Sequence, residues 1–335
     1  MRNVIYRIQG EAPEYVDHVN GYKGILATDE STGTIGKRLA SVGVDSTEGS
    51  RHSYRHNLFS TEGLEDYIGG VILFDETIRS QKTIEPLLEK DICIGIKVDK
   101  GTVPYDLKGL LTEGLDGLSK RLYEYKNLGA EFAKWRAVLN IHDSDACIIA
   151  NSWNLARYAK SCQDEGIVPI VEPEVLMGGG HCISDSLWFT EKVLHHVFDA
   201  MYYENVELEA MILKPNMILG GYESKMPLPQ FHDSVRTLAE SEIVSQYTVD
   251  CFKRCVPAAV PMIAFLSGGQ PDGVAVTNLN QINKRVNLPW CATFSFGREL
   301  QQNSLKLWAN GQPEDARQAL LSRAIECSQA SMGNL

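Results

Sequence analysis

The chain has 335 residues, a hydrophobic fraction of 44% and a formal net charge of −11. That length accommodates one large domain or two ordinary ones with a sizeable core, and the acidic balance speaks against nonspecific nucleic-acid binding, so any anion must be held by a local basic pocket. The eight cysteines form no CxxC pair and no disulfide scaffold, no apolar signal segment opens the chain and no run approaches ~18 apolar residues, which together predict a cytoplasmic protein without a membrane partner.

Eight apolar runs of strand character follow one another: Gly24–Ala27, Gly70–Phe74, Cys93–Val98, Phe132–Leu139, Val168–Val171, Ala210–Leu213, Met262–Leu266 and Ala292–Phe296. They are nearly continuous in apolar residues, as parallel strands buried on both faces are. Helical patterns lie between and after them. Ile35–Val42, Gly117–Leu128 and Asn154–Glu165 are each followed by a glycine suited to ending a helix, and Ser184–Tyr203 opens on a Ser-Asp-Ser cluster suited to capping one. Glu240–Cys255, Val274–Val286 and Glu314–Ala330 complete the series. Strands alternating with helices predict an α/β protein, a (β/α)8 TIM barrel, over residues 1–335 as one domain with a short N-terminal extension and a C-terminal helix. A doubly wound open sheet would alternate in the same way, but no dinucleotide glycine fingerprint follows the first strand.

In such a barrel the chemistry sits at the carboxyl ends of the strands. Those ends read Asp29, Asp75, Lys97 and Asp99, Lys134 and Arg136, Glu172 and Glu174, Lys214, Ser267-Gly268-Gly269, and Gly297-Arg298. Residues at i and i+2 share a strand face, so the paired charges point the same way and, if inward, crowd the barrel mouth. Lys214 ends the apolar run Ala210-Met211-Ile212-Leu213. A lysine there either reaches out to solvent or is a neutral amine that attacks a carbonyl. A free lysine titrates near ~10.4, and nearby cations such as Lys134, Arg136 and Lys97 would lower that by repulsion. Imine formation also needs an acid and base, for which Glu172 is the candidate, with Glu174 orienting the lysines and Asp29 taking a proton from a substrate hydroxyl.

Three segments suit anions. Asp29-Glu30-Ser31-Thr32-Gly33-Thr34 precedes a helix, whose N-terminus favours phosphate, but misses the Walker pattern. Leu266-Ser267-Gly268-Gly269 and Phe296-Gly297-Arg298 end strands seven and eight, where barrels often hold a phosphate; either could also be an ordinary glycine turn. Two anion sites flanking a lysine predict a sugar bisphosphate. No metal and no cofactor are expected: His52 and His56 lack the glutamate of HExxH, His195 and His196 read as packing or surface residues of a helix, and Cys251 and Cys255 share a helix face without evident partners. Gly178-Gly179-Gly180-His181 reads as a loop near the mouth.

The strand-end segments together resemble class I fructose-1,6-bisphosphate aldolase, the Schiff-base type. The resemblance is carried by Gly24 to Gly33, Gly69 to Phe74, Gly95-Ile96-Lys97-Val98-Asp99-Lys100-Gly101, Phe132-Ala133-Lys134-Trp135-Arg136 and Ile170-Val171-Glu172-Pro173-Glu174. It continues through Leu213-Lys214-Pro215-Asn216-Met217, Phe265 to Gln270 and Phe294-Ser295-Phe296-Gly297-Arg298. It implies a homotetrameric barrel enzyme that reversibly cleaves fructose 1,6-bisphosphate to dihydroxyacetone phosphate and glyceraldehyde 3-phosphate. On the matching positions it implies Lys214 as the Schiff-base lysine, Glu172 as its acid/base, Lys134 for the carbinolamine with Glu174 beside it, and Asp29 for the carbon 4 hydroxyl. Ser267, Gly268, Gly297 and Arg298 would hold the ketose-side phosphate; Ser31, Thr34 and Lys97 would face the other, and Arg38 and Arg136 would complete the basic lining. The family often has Ser where Thr34 stands, which keeps the hydroxyl. Many members carry a terminal tyrosine that handles the proton at carbon 3 of the enamine. The last tyrosine here is Tyr247, so the expectation passes to Glu172 or a substrate phosphate. The same set on a single-phosphate ketose, or a barrel kept as a scaffold, are the competing readings; a scaffold has no use for a deprotonated lysine.

Overall fold

A computed structural model describes residues 1–11, 21–106, 109–224, 233–285 and 287–335. In chain order the elements are α1 (Arg2–Gln9), β1 (Gly24–Thr28), α2 (Thr32–Ala40), α3 (Glu48–Phe59), β2 (Ile68–Leu73), α4 (Asp75–Ile78), α5 (Gln81–Glu89), β3 (Cys93–Lys97), β4 (Thr102–Pro104) and β5 (Leu110–Thr112). They continue with α6 (Leu118–Asn127), β6 (Phe132–Leu139), α7 (Asp145–Asp164), β7 (Val168–Val175), α8 (Ile183–Tyr203), β8 (Ile212–Leu213), α9 (Asp233–Cys255), β9 (Met262–Phe265), α10 (Val274–Asn283), β10 (Cys291–Phe296), α11 (Arg298–Ala309) and α12 (Pro313–Ser331). Two single turns of 3-10 helix, Leu64–Asp66 and Leu208–Ala210, precede β2 and β8.

The strands close in the order β1-β10-β9-β8-β7-β6-β3-β2, every neighbour parallel. This is the (β/α)8 barrel that the eight apolar runs predict. β4 and β5 stand outside it as a separate antiparallel pair; strands of three residues are too short to show a period. The helices agree less closely at their ends. α7 starts at Asp145 rather than Asn154, because Ser144 is the cap, its Oγ accepting from the Cys147 amide at 3.1 Å. α9 begins at Asp233 rather than Glu240, and α10 ends at Asn283, while the expected end at Val286 lies outside the described residues. α1, α5 and α11 go beyond the sequence expectation.

The barrel interior changes character along its axis. At the amino end, Ile25, Ile72, Phe132, Val168, Ile170, Ile212 and Met262 pack together, and α1 closes that end with Ile5 and Ile8. The close approach needs glycine in β2: a Cβ at Gly69 would sit 2.0 Å from the Ile8 carbonyl oxygen. Phe132 fills the barrel axis over β3, where a Cβ at Gly95 would meet its ring at 2.0 Å. The outward residues, including Trp135, Val171, Leu213 and Phe296, pack in the second cluster under the helices. Alternation therefore sends Lys134 and Arg136 inward on either side of outward Trp135, above Phe132. The same alternation carries Glu172 and Glu174 inward above Ile170, and Lys214 inward above Ile212. Apolar side chains thus fill the amino half of the barrel, and charged ones the carboxyl half.

Candidate active site

The carboxyl end of the barrel opens into a cavity of about 1170 Å³. Its lining includes Lys214, Glu172, Asp29, Lys134 and Glu174, together with Ser31, Thr34, Arg38, Lys97, Arg136, Ser267, Gly268, Gly297 and Arg298. The structure brings all of the sequence-predicted site residues to one place. A cavity of about 320 Å³ among the outer helices is lined by His52, His56, Lys82 and Trp308 and contains no carboxylate. His52 there bonds Thr83 Oγ1 at 2.7 Å, a packing role.

At the centre is a continuous chain of charge. Lys134 Nζ lies 2.7 Å from Asp29 Oδ2 and 3.0 Å from Glu172 Oε2, and Lys214 Nζ lies 3.4 Å from Glu172 Oε1. Glu172 therefore touches both lysines. Lys214 is 4% exposed, just past the two-residue β8, yet its amide still donates to the Val171 carbonyl at 2.8 Å, so β7 holds its backbone in register. The Leu266 amide donates to the Pro215 carbonyl at 3.1 Å and fixes the other side. Asn216, 5% exposed, accepts from the Val175 amide at 2.7 Å and ties the ends of β7 and β8 together.

The ionisation of this chain follows from burial opposed by neighbours. Burial pushes the Asp29 carboxyl up, but Lys134, with Lys214 and Lys97 beyond, outweighs it and holds Asp29 below the usual carboxylate range. Burial likewise raises Glu172, and Lys134, Lys214 and Arg136 together hold it below its ordinary value. Burial works to deprotonate Lys134, yet Asp29, Glu172 and Asp99 keep its ammonium above the usual lysine range. Lys134 is thus a fixed cation between two fixed anions.

Two expectations need correction. Glu174 does not orient a lysine; it accepts from Arg136 Nε. The register places Val138 beside Glu174 and Arg136 beside Glu172, and the long guanidinium stem reaches diagonally to Glu174. Lys97 is not an unshielded cation; its ammonium is held by Asp99, whose Oδ1 also lies 3.3 Å from the Gly101 amide. Arg38 is similarly paired with Glu30.

Two helix starts open on the cavity. Ser31 caps α2, its Oγ accepting from the Thr34 amide at 3.4 Å and lying 3.1 Å from Thr34 Oγ1. α11 starts at exposed Arg298, and its cap residue Gly297 offers no side chain to the first turn's amides. Facing it, Gly268 and Gly269 adopt φ of +56° and +74°, the left-handed region that glycine enters without strain. Space forbids a side chain there too: a Cβ at Gly269 would lie 2.4 Å from the Tyr222 hydroxyl oxygen and 2.9 Å from Arg298 Nη2.

Two contributors, Tyr222 and Arg55, carry no signal in the sequence, and a third is the glycine loop expected near the mouth. Tyr222 donates its hydroxyl to the Gly268 carbonyl at 2.6 Å from a loop after β8. The Gly178–His181 loop is tied to the same segment, the Gly221 amide donating to the His181 carbonyl and the Tyr222 amide to the Met177 carbonyl, both at 2.9 Å. Arg55 of α3, 1% exposed, donates to the Glu30 carbonyl at 2.9 Å and to Thr77 Oγ1 at 2.8 Å, bracing Glu30 from beneath. Arg55 lies on the buried face of α3 with Tyr54, Leu58 and Phe59, where its charge interrupts the apolar stripe. Cys251 and Cys255 do have partners: Glu191 and both thiols place ligand atoms within 4.8 Å of one another.

Comparison with known proteins agrees with this geometry. The family described as fructose-bisphosphate aldolase class-I matches residues 16–335. The chain is 49% identical over 325 residues to the probable fructose-bisphosphate aldolase class 1 of Xanthomonas axonopodis pv. citri, covering 93% of this chain and 94% of that one. It is 45% identical to the cytosolic fructose-bisphosphate aldolase 4 of Arabidopsis thaliana, over 93% of this chain and 80% of the other. The fructose-bisphosphate aldolase of Plasmodium falciparum, solved in complex with TRAP and a small molecule inhibitor, superposes with a TM-score of 0.90 at 40% identity, covering 99% of this chain and 94% of that chain. The chain belongs to the class-I fructose-bisphosphate aldolase family, lyases that reversibly cleave fructose 1,6-bisphosphate through a lysine Schiff base.

Proposed function

We propose that Lys214 is the Schiff-base nucleophile and that Glu172, Lys134, Asp29 and Glu174 carry the steps around it. The observation behind this reading is the unbroken contact chain from Lys214 through Glu172 and Lys134 to Asp29. The Lys214 amine attacks carbon 2 of the open-chain ketose and forms a carbinolamine. Glu172, ionised and in contact with the lysine, takes a proton from that nitrogen and returns it to the departing hydroxyl, which leaves as water. Lys134 stabilises the charge that moves through these steps. Ionised Asp29 then takes the carbon 4 hydroxyl proton. The carbon 3–carbon 4 bond breaks, its electrons pass into the iminium to give an enamine, and glyceraldehyde 3-phosphate departs. Protonation at carbon 3 and hydrolysis release dihydroxyacetone phosphate and Lys214. Glu174 acts by fixing Arg136 at the wall of the site.

Ser267, Gly268, Gly297 and Arg298 would hold the ketose-side phosphate on backbone amides and a guanidinium at the start of α11. Ser31, Thr34, Lys97, Arg38 and Arg136 would face the other phosphate. Borohydride reduction in the presence of dihydroxyacetone phosphate tests the assignment. It should link the ligand to Lys214; an adduct on Lys134 or Lys97 instead, or none, refutes it.

The enzyme also reads as a cytoplasmic homotetramer over one domain. Packing of α1 and α12 against the barrel supports the single domain. Support for self-association is an aromatic face on α7 and α8, where Trp153, Trp188, Tyr202 and Tyr203 are 39%, 64%, 78% and 68% exposed and Trp153 stacks on Tyr203. Sedimentation of the wild type against Tyr203→Lys tests it; an unchanged mass refutes that face. The net charge of −11 supports a lack of nucleic-acid partners. Among the described residues no helix is long and apolar enough to cross a membrane.

A further inference from the structure

Helices α8 and α9 pack side by side, and each turns a pair of ligating residues, spaced i and i+4, toward the other. Glu191 and His195 lie on α8; Cys251 and Cys255 lie on α9. That spacing places both members of a pair on one helix face. Cys251 is 0% and Cys255 7% exposed, whereas His195 is exposed at the edge. Glu191 and the two sulfurs put ligand atoms within 4.8 Å of one another, and His195 Nε2 lies 3.6 Å from Cys255 Sγ. None of the four lines the cavity at the barrel mouth.

We propose that Glu191, His195, Cys251 and Cys255 form a binding site for a thiophilic divalent cation, zinc above all, tying α8 to α9. The donor set of two thiolates, one imidazole and one carboxylate matches what zinc selects, and four donors complete a closed structural site. Zinc–sulfur bonds of about 2.3 Å and zinc–nitrogen bonds of about 2.0–2.1 Å set a tetrahedral sulfur–nitrogen edge of about 3.5 Å. The 3.6 Å between Cys255 Sγ and His195 Nε2 already has that value. Among Glu191 and the two sulfurs, closing a separation of at most 4.8 Å to a tetrahedral edge needs a shift of no more than about 1.5 Å, and His195, already against Cys255 Sγ, turns in from the exposed edge to complete the set. Arg254 donates to Glu191 Oε1 at 2.7 Å. A carboxylate has two oxygens, so Glu191 can keep that contact and still offer a ligand atom. Two thiolates, a carboxylate and a dication carry one net negative charge, which Arg254 offsets. The cation would join the helices that follow β7 and β8, the strands whose ends carry Glu172 and Lys214.

The test uses the whole chain, kept reduced with a phosphine and titrated with Co2+ and then Zn2+. One equivalent of Co2+ should give a thiolate-to-cobalt charge-transfer band and the visible spectrum of a four-coordinate centre, and Zn2+ should displace it. The melting temperature should rise with Zn2+ concentration. Cys251→Ser with Cys255→Ser should abolish the band and the thermal response, while Cys182→Ser, at the exposed cysteine, leaves both unchanged. His195→Ala, at an exposed position, should keep the band and weaken binding by more than the ~10–100-fold typical of losing an outer-shell partner. No charge-transfer band in the reduced wild type, or the same band in the double serine variant, overturns the proposal.

Discussion

Lys134→Met removes the one cation that Asp29 and Glu172 share and keeps most of the side-chain volume. Lys134 is 3% exposed, and its contacts at 2.7 and 3.0 Å are the shortest at the centre of the site. At an effective dielectric of about 20, each contact carries roughly 6 kcal/mol of gross attraction, against a desolvation cost of several kcal/mol per ion. Breaking such a buried pair by removing one partner typically costs about 3–5 kcal/mol, because the other charges stay buried. The two carboxylates would then stand within about 6 Å of each other, with Lys214 the nearest cation left and Lys97 and Arg136 beyond it, and like charges at that range push one carboxyl's pKa up. The sign of the pH dependence therefore reverses. In the wild type, Asp29 and Glu172 titrate below their ordinary values of 3.8 and 4.5, so their contribution is fully present above those values and is lost as pH falls through the folded values. Lys134 titrates above its ordinary 10.5, so its contribution is present below that and is lost only as pH rises through the folded value. In Lys134→Met a carboxyl raised above its unfolded value regains stability, relative to the wild type, as pH falls from neutral toward 5, a window where Asp29, Glu172 and Lys134 themselves give the wild type no pH dependence. Urea unfolding at fixed protein concentration, at pH 7 and pH 5, reads both effects. A loss under about 1 kcal/mol at pH 7, or a variant that weakens rather than gains on acidification, refutes the ionisation pattern described for the site.

Asp29→Asn should keep Lys214 trapping by dihydroxyacetone phosphate and borohydride while cleavage of fructose 1,6-bisphosphate falls by ~10²–10⁴-fold; loss of trapping in step with cleavage refutes the division of labour. Tyr222→Phe removes the 2.6 Å bond to the Gly268 carbonyl, worth about 0.5–1.5 kcal/mol, so steady-state assays should show KM raised about 2- to 10-fold with kcat kept. A fall in kcat alone would place Tyr222 elsewhere in the cycle. Arg298→Ala removes a guanidinium at the start of α11, and a charge-assisted hydrogen bond of about 1.5–3 kcal/mol predicts KM raised about 10- to 100-fold. Arg38→Ala should raise it less, because Glu30 already occupies Arg38; the opposite order refutes the placing of the two phosphates.

The barrel was legible because continuous apolar runs mark doubly buried strands, and strand alternation alone carries Lys134 and Arg136, or Glu172 and Glu174, to one face. Partnership was not legible, since it depends on register between strands. Arg136 lies beside Glu172 in the ladder yet bonds Glu174, a diagonal that no single strand reveals. Tyr222 and Arg55 reach the site from a loop and an outer helix, so only closure of the whole barrel brings them in. The helix ends failed for a local reason. The pattern from Asn154 misses the first turns of α7, whose face already buries Cys147, Ile148 and Asn151 before Asn154 is reached. α1 is a single amphipathic stretch whose burial depends on the open end of a barrel formed later in the chain.

The pairing of charges also favours one direction for a bisphosphate on the proposed site. Lys134 is shared by Asp29 and Glu172, Lys97 is held by Asp99, Arg136 by Glu174 and Arg38 by Glu30. These cations tolerate the barrel mouth because each is compensated, and a phosphate seeking any of them must share it with a carboxylate. The amides around Gly268 and Gly269, the uncapped start of α11 and exposed Arg298 carry no such competitor among the described side chains. β8 has β7 on one side and β9 on the other, and the Leu266–Pro215 bond holds the loop after β9 against the residue next to Lys214. In the ketose, the carbon 1 phosphate is attached to the atom beside the carbonyl that the amine must attack. With Lys214 as the proposed nucleophile, the phosphate on the uncontested donors would therefore be the one that delivers carbon 2 to it. On the proposed assignment the other phosphate would reach toward α2, across Lys134 and Asp29, which would set carbon 4 opposite the carboxylate proposed to deprotonate its hydroxyl.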